Sequence, residues 1–315
     1  MQALVLGALG PLVACSRPPS MDTTFVQLWR SHLDLGRDEW RRRLDVTRQL
    51  GCREICLQWV GLEGGPNEQW MASDAFMHMI FDEAERLGMG VHVGLPYDER
   101  WWSVLGAQDD RVVARFLEQA GERGAAYIGS APWPTRKGFR GWYIPYELEQ
   151  YNWATDARLA LLGPWLSVYS QAAIARGGQV PTISTYYSRL PTEGTLVKLW
   201  QVVLDSARVR PMIQDGVGVA GMSNYQALAP LRDMLVARGV PFDLILELFE
   251  ELPTGKKDGT DFKARSADAQ RVKQQFEVAR GYGASRVVAF AIDPWVIGDT
   301  PEARALLKAW NRLRG

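Results

Sequence analysis

Glu147 and Glu247 stand near the ends of two short apolar runs that read as β-strands, the fourth and the seventh of eight. Two carboxyl groups across a pocket are the equipment for breaking a glycosidic bond, one protonating the leaving oxygen and the other attacking the anomeric carbon or activating water. A separation of about 5–5.5 Å gives retention of configuration, and a gap of roughly 6.5–9.5 Å seats a water and gives inversion. The short separation is the expectation here. Glu149, two residues past Glu147, and Asp215, at the end of the sixth run, are alternative partners should either glutamate prove structural, paired with an arginine such as Arg140 or Arg286. Other chemistries find little footing. His32, His78 and His92 are scattered with no HxH or HExxH spacing, and no GxSxG elbow is present, so no metal and no cofactor is expected. Gly216-x-Gly218-x-x-Gly221 matches the dinucleotide fingerprint letter for letter. It lies in the sixth unit, and no acid stands at a strand end some 20 residues on, so it reads as a loop beside the pocket.

The elements that must position these residues alternate along the whole chain. Strand-like runs fall at 24–29, 54–59, 90–95, 141–147, 180–186, 211–215, 242–248 and 286–293. Amphipathic stretches lie between them, starting near Asp38, Ser73, Gln108, Thr155, Glu193, Ser223, Ser266 and Pro301. Ser223-Asn224-Tyr225-Gln226 reads as a capping box, and Thr300-Pro301-Glu302 offers an N-cap, a proline at the first helical position and an early acid. Eight strand–helix units in this length close into a single α/β domain, a (β/α)8 TIM barrel, whose active site forms at the carboxyl ends of the strands. Side chains alternate along a strand, so Glu247 and Ile245 point inward while Leu244, Leu246 and Leu248 face helices. The same parity turns Tyr143 and Glu147 inward and Trp142, Ile144 and Tyr146 outward.

Composition narrows the partners. Lys plus Arg and Asp plus Glu are both 36, which leaves no net field to recruit nucleic acid. The 13 tryptophans are many for 315 residues, and Trp29, Trp59, Trp133, Tyr186 and Trp295 are candidate platforms for sugar rings. Asp98 and Glu99 beside Trp101-Trp102 form another candidate edge. Cys52 and Cys56 lie about 13 Å apart along one strand at roughly 3.3 Å per residue, too far for a disulfide, and read as buried thiols. Residues 1–14 read as a signal segment. Leu12-Val13-Ala14-Cys15 resembles a bacterial lipobox, which implies lipidation of Cys15, a tether over 15–23 and a lipid-anchored, periplasmic or cell-surface location.

Gly141-Trp142-Tyr143-Ile144-Pro145-Tyr146-Glu147 and Ile245-Leu246-Glu247-Leu248-Phe249-Glu250 together resemble a family of bacterial TIM-barrel proteins catalogued as a domain of unknown function. Gln58-Trp59, Gln214-Asp215-Gly216-Val217-Gly218 and Phe290-Ala291-Ile292-Asp293-Pro294-Trp295 extend the resemblance over the barrel region, residues 24–315. The family is similar to retaining glycoside hydrolases, which carry the acid/base after strand four and the nucleophile on strand seven. The resemblance implies those roles for Glu147 and Glu247, and substrate contacts from Gln58, Trp59, Asp215, Asp293 and Trp295; position and residue type add Glu149, Tyr186 and Trp133 as candidate contacts. The well-characterised hydrolases usually place Asn before the strand-four acid; Tyr146 stands there in this chain. The expectation is a glycosidase acting on an extracytoplasmic polysaccharide. Its competitor is a non-catalytic barrel that binds exopolysaccharide or serves its synthesis or export machinery.

Overall fold

The computed structural model describes residues 21–65, 69–253 and 262–313. Eight strands close into a parallel barrel: β1 Met21–Val26, β2 Glu54–Leu57, β3 Gly90–Gly94, β4 Phe139–Leu148, β5 Thr182–Thr185, β6 Arg210–Gln214, β7 Asp243–Glu247 and β8 Arg286–Phe290. Each pairs in parallel with its neighbours in chain order, and β8 closes on β1. Helices follow every strand, among them Arg37–Gln49, Asp110–Ser130, Asn224–Ala237 and Ala269–Arg280. The chain is a single (β/α)8 barrel.

The core divides as the strand parity requires. Phe25, Cys56, Tyr143, Met212, Ile245 and Val288 fill the barrel interior. Leu244, Leu246, Leu248, Trp142, Ile144 and Tyr146 belong to the larger cluster between strands and helices. Cys52 and Cys56 are buried free thiols, one in each layer.

Several local expectations change. β1 begins at Met21, inside the stretch read as tether, and Met21 is buried. Ser223 does not cap its helix. Its backbone is already helical (φ −63°, ψ −18°), because the turn before it is wound, so its hydroxyl makes no cap bond. Thr300 does cap, accepting from the Ala303 amide at 3.1 Å. Two small sheets too short to show in the periodicity decorate the carboxyl-end face. One joins Gly61–Glu63, Trp70–Met71 and Tyr97–Asp98; the other is an antiparallel pair, Phe249–Glu251 with Ala264–Ser266.

The most consequential irregularity lies in β4. Ile144 pairs with Ile183, but the next partners are Glu147 and Ser184, so Pro145 and Tyr146 are extra residues opposite β5. Proline has no N–H to give a ladder, and a bulge is where a strand can hold it. Inserting two residues preserves parity, and Glu147 still points inward.

Candidate active site

Glu147 and Glu247 emerge at the carboxyl ends of β4 and β7, three strands apart around the ring. Glu247 is 5% exposed, and Glu147 is partly buried. Among the described residues neither carboxyl takes part in an ion pair. The arginines that could have neutralised them sit at the other end of the barrel, where Arg286 and Arg140 pair with Asp243 and Glu54.

The donors that reach the two glutamates are neutral. Gln214, the last residue of β6, donates its side-chain amide to Glu147 Oε1 at 2.7 Å. The backbone N–H of Gly218 donates to Glu247 Oε2 at 2.8 Å. Burial raises Glu147 above the ordinary carboxyl range, and the Gln214 bond only partly offsets it. Burial, together with the nearby charges of Asp215 and Glu147, pushes Glu247 up to about 8 against the pull of Gly218 and Arg271. Arg271 spends its guanidinium on backbone, donating to the carbonyls of Glu247 and Phe249 at 2.9 and 2.7 Å. At about 8 Glu247 retains a proton near neutral pH, and because the charge of Glu147 is among the causes, that proton is shared between interacting groups.

The glycine triplet has a structural meaning. Gly216 and Gly221 take positive φ (62° and 74°), which glycine adopts without strain. They wind the short turn that delivers the Gly218 amide. A Cβ on Gly218 would lie 2.6 Å from the Phe249 carbonyl and 2.9 Å from Glu247 Oε2, so only glycine permits this approach. These three glycines shape the seat of a carboxylate.

Asp215 is buried beneath this seat, outside the mouth. Its Oδ1 accepts from the amides of Val217 (3.1 Å) and Glu247 (3.2 Å), and its Oδ2 from Tyr225 Oη (2.9 Å) and Gln275 Nε2 (2.7 Å). Ile213, two residues earlier, packs outside the barrel, so Asp215 has outward parity. It braces Glu247 and raises its pKa.

The remaining sequence candidates fall into two groups. At the mouth, Gln58 follows the inward-facing Cys56 at the same parity; it is 7% exposed and its Oε1 has no hydrogen-bond partner. Trp59 stacks on Tyr97 (centroids 5.3 Å, 18° between planes) and donates its indole N–H to the Leu28 carbonyl. Tyr97 and Tyr186 both lie within range of the charge of Glu147, which helps to raise their pKa values. Trp295 is partly exposed, packs on Phe249 at 5.7 Å and abuts the interior cluster.

The other group lies away from the mouth or is otherwise engaged. Trp133 is 1% exposed, stacked on Phe81 and bonded to Tyr127 Oη, in the segment that enters β4 from the amino-end side. As a sugar platform it is corrected: it is core. Glu149 binds the amides of Tyr151 (2.5 Å) and Asn152 (2.9 Å) in its own turn. Asp293 forms an ion pair with Arg43. Asp98 is buried between Arg100 and Arg123, and Tyr146 is held among Trp101, Tyr97 and Trp165. His32, His78 and His92 occupy three separate places: a turn after β1, the face of Trp133, and a bond to Glu54. Cys15 lies outside the described residues. Gln214 and Gly218 were not singled out as site residues by sequence reasoning. The inward parity of Met212 on β6 is the signal that would have found Gln214.

A family model described as a domain of unknown function (DUF4434) matches residues 21–305. The chain belongs to that family. No curated protein matches it by sequence. Among solved structures it is similar to a candidate α-L-fucosidase from Bacteroides thetaiotaomicron (15% identity, TM-score 0.63, 99% of each chain covered). It is similar also to a β-galactosidase from the psychrophilic Marinomonas ef1 (11%, TM-score 0.59, 92% of this chain and 59% of that one). A third is an endo-1,4-β-mannanase from Rhizomucor miehei (9%, TM-score 0.57, 95% and 96%). At these identities the likeness establishes the fold alone, a (β/α)8 barrel.

Proposed function

We propose that the chain is a retaining glycoside hydrolase acting on a polysaccharide outside the cytoplasm. The observation that carries this reading is the setting of Glu147 and Glu247: two inward carboxyls at the carboxyl ends of β4 and β7, both raised in pKa, seated by neutral donors and, among the described residues, with no cation bonded to either carboxylate. Structural acids are normally neutralised; acids that must exchange a proton are not. With the shared proton on Glu147 and Glu247 ionised, Glu147 gives that proton to the glycosidic oxygen as the bond to the anomeric carbon breaks, and the Glu247 carboxylate closes on that carbon to form an ester. Water then attacks the same carbon, Glu147 takes its proton, and Glu247 leaves as the carboxylate. Gln214 and Gly218 position the two groups. Gln58, with its unpartnered carbonyl oxygen, receives a substrate hydroxyl.

Release of reducing ends from a panel of bacterial and plant polysaccharides tests the activity. The native chain is expected to cut at least one, with Glu147→Gln and Glu247→Gln each lowering the rate by about 10²–10⁴. Proton NMR of the first product should show the starting anomer. Polysaccharide binding that survives both substitutions, with no reducing ends from the native chain, would favour the non-catalytic binder instead. The anchor rests on Leu12-Val13-Ala14-Cys15. Membrane fractionation with and without Cys15→Ser tests it, and an unchanged distribution defeats it.

A further inference from the structure

The exposed aromatic side chains are not spread over the molecule. Among the described residues there are five, Trp29, Trp102, Tyr151, Tyr187 and Phe262, and all five lie in connections that follow strands, Trp102 in the short helix Trp101–Leu105 of its connection. Neither the outer helix faces nor the amino-end floor of the barrel carries one. Single exposed apolar residues are ordinary on a protein surface, but chance would scatter them.

Their order around the ring adds a direction. Trp102, Tyr151 and Tyr187 follow β3, β4 and β5, an arc centred on β4. Trp29 and Phe262 follow β1 and β7, and the partly exposed Trp295 follows β8 between them. That second arc is centred on β8, which lies opposite β4 in the closed order of strands. Glu147 belongs to the first arc and Glu247 to the second. Aromatic rings therefore stand on both sides of the carboxyl pair.

Three of the rings are backed by a second ring. Trp29 lies edge-on to Trp59 at 5.6 Å, Trp102 to Tyr186 at 6.2 Å, and Phe262 to Phe249 at 5.4 Å. Rings held this way lose little freedom when a flat ligand settles on them. No two of the five contact each other among the described residues. They are separate steps, unlike the continuous apolar face that a membrane surface requires.

Building on the glycosidase reading above, we propose that the mouth takes the interior of a glycan chain and cuts it endo-fashion, the chain lying from the β3–β5 arc across Glu147 and Glu247 to the β7–β1 arc. A site that removes terminal residues needs one side of the scissile bond closed off by protein. Here both flanks present exposed rings, on which successive sugars stack by their apolar faces.

The full chain, run through native gels containing soluble mannan, xylan, galactan or β-glucan, gives a readout independent of cleavage. At least one gel should retard it, and Trp29→Ala and Trp102→Ala, on opposite arcs, should each weaken the retardation several-fold while leaving the circular dichroism unchanged. Tryptophan-fluorescence titration with an oligosaccharide ladder of that polymer should show affinity rising with chain length past the tetramer. Where reducing ends are released, the first products should be oligosaccharides. Retardation in no gel, a monosaccharide bound as tightly as the hexasaccharide, either variant behaving as native, or free monosaccharide as the first product would each overturn the inference. Length-dependent binding without reducing ends would instead sink the hydrolase reading alone.

Discussion

The two ends of the barrel use buried acids in opposite ways. At the floor, Glu54 and the fully buried Asp243 meet His92, Arg140, Arg210 and Arg286, and these four basic residues help to line a cavity of about 680 Å³. Burial pushes Glu54 up, but its bond to His92 and the charges of Arg286 and Arg140 outweigh this and hold it at about 2. His92 is itself lowered by burial, against the opposing pull of Glu54. At the mouth, Glu247 is more deeply buried and its carboxylate accepts from the Gly218 amide, and it rises to about 8. One sheet thus carries a carboxyl far below the ordinary range and another far above it. The difference lies in whether a cation bonds the carboxylate: Arg140 and Arg286 reach Glu54, whereas Arg271 beside Glu247 donates to backbone carbonyls. Floor acids hold strands together; mouth acids hold a proton in reserve.

The comparison breaks first under substitution. Asp243→Asn leaves Arg210 and Arg286 facing a neutral amide and should cost about 3–5 kcal/mol of stability. Glu247→Gln should cost the reaction about 10²–10⁴ in rate with no such loss of stability. Urea unfolding alongside a reducing-end assay separates the two. A floor variant that folds normally, or a mouth variant that collapses, would erase the distinction.

The pH dependence carries opposite signs at the two ends. Glu247 binds its proton more tightly folded than unfolded, so its contribution is complete below about 4.5 and is lost as pH rises through about 8. Thermal melts of native chain and Glu247→Gln should therefore diverge between those values, the variant becoming the more stable by on the order of a few kcal/mol. Glu54, depressed to about 2, contributes above the ordinary 4.5 and loses that contribution as pH falls through about 2. Melts that run parallel from pH 5 to pH 9 would contradict the mouth assignment.

Smaller effects sharpen the picture. Asp215→Asn removes a charge that raises Glu247, so the Glu247 limb of the activity profile should move to lower pH; a limb that stays in place would show that Asp215 acts only as a brace. Gly218→Ala puts a methyl group against Glu247 Oε2 and should lower kcat several-fold with the fold intact, as judged by kinetics and circular dichroism. Full activity in that variant would remove the Gly218 amide from the mechanism.

Much of this was legible in the sequence because it depends on local pattern. The eight strand runs, their alternation with helices and the parity of β4 and β7 follow from residue type at period two. Trp133 was misplaced although its position gave it away: it precedes a strand, and loops entering strands lie at the floor. Asp215 was likewise readable, since Ile213 turns that parity outward. The partners of Asp293 and Asp98 were not, because Arg43 lies 250 residues from the one and Arg123 comes from a helix packed beside the other. The dinucleotide-like glycines show why a motif needs its surroundings, for here they serve a carboxylate of their own chain.

Carboxyl-¹³C NMR of protein labelled at glutamate side chains, followed from pH 4 to pH 10 without substrate, tests the central claim most directly. A resonance absent from Glu247→Gln should titrate near 8, while the one absent from Glu54→Gln stays ionised throughout. A Glu247 resonance that titrates in the ordinary range near 4.5 would contradict the claim that the mouth of this barrel keeps a proton ready for chemistry.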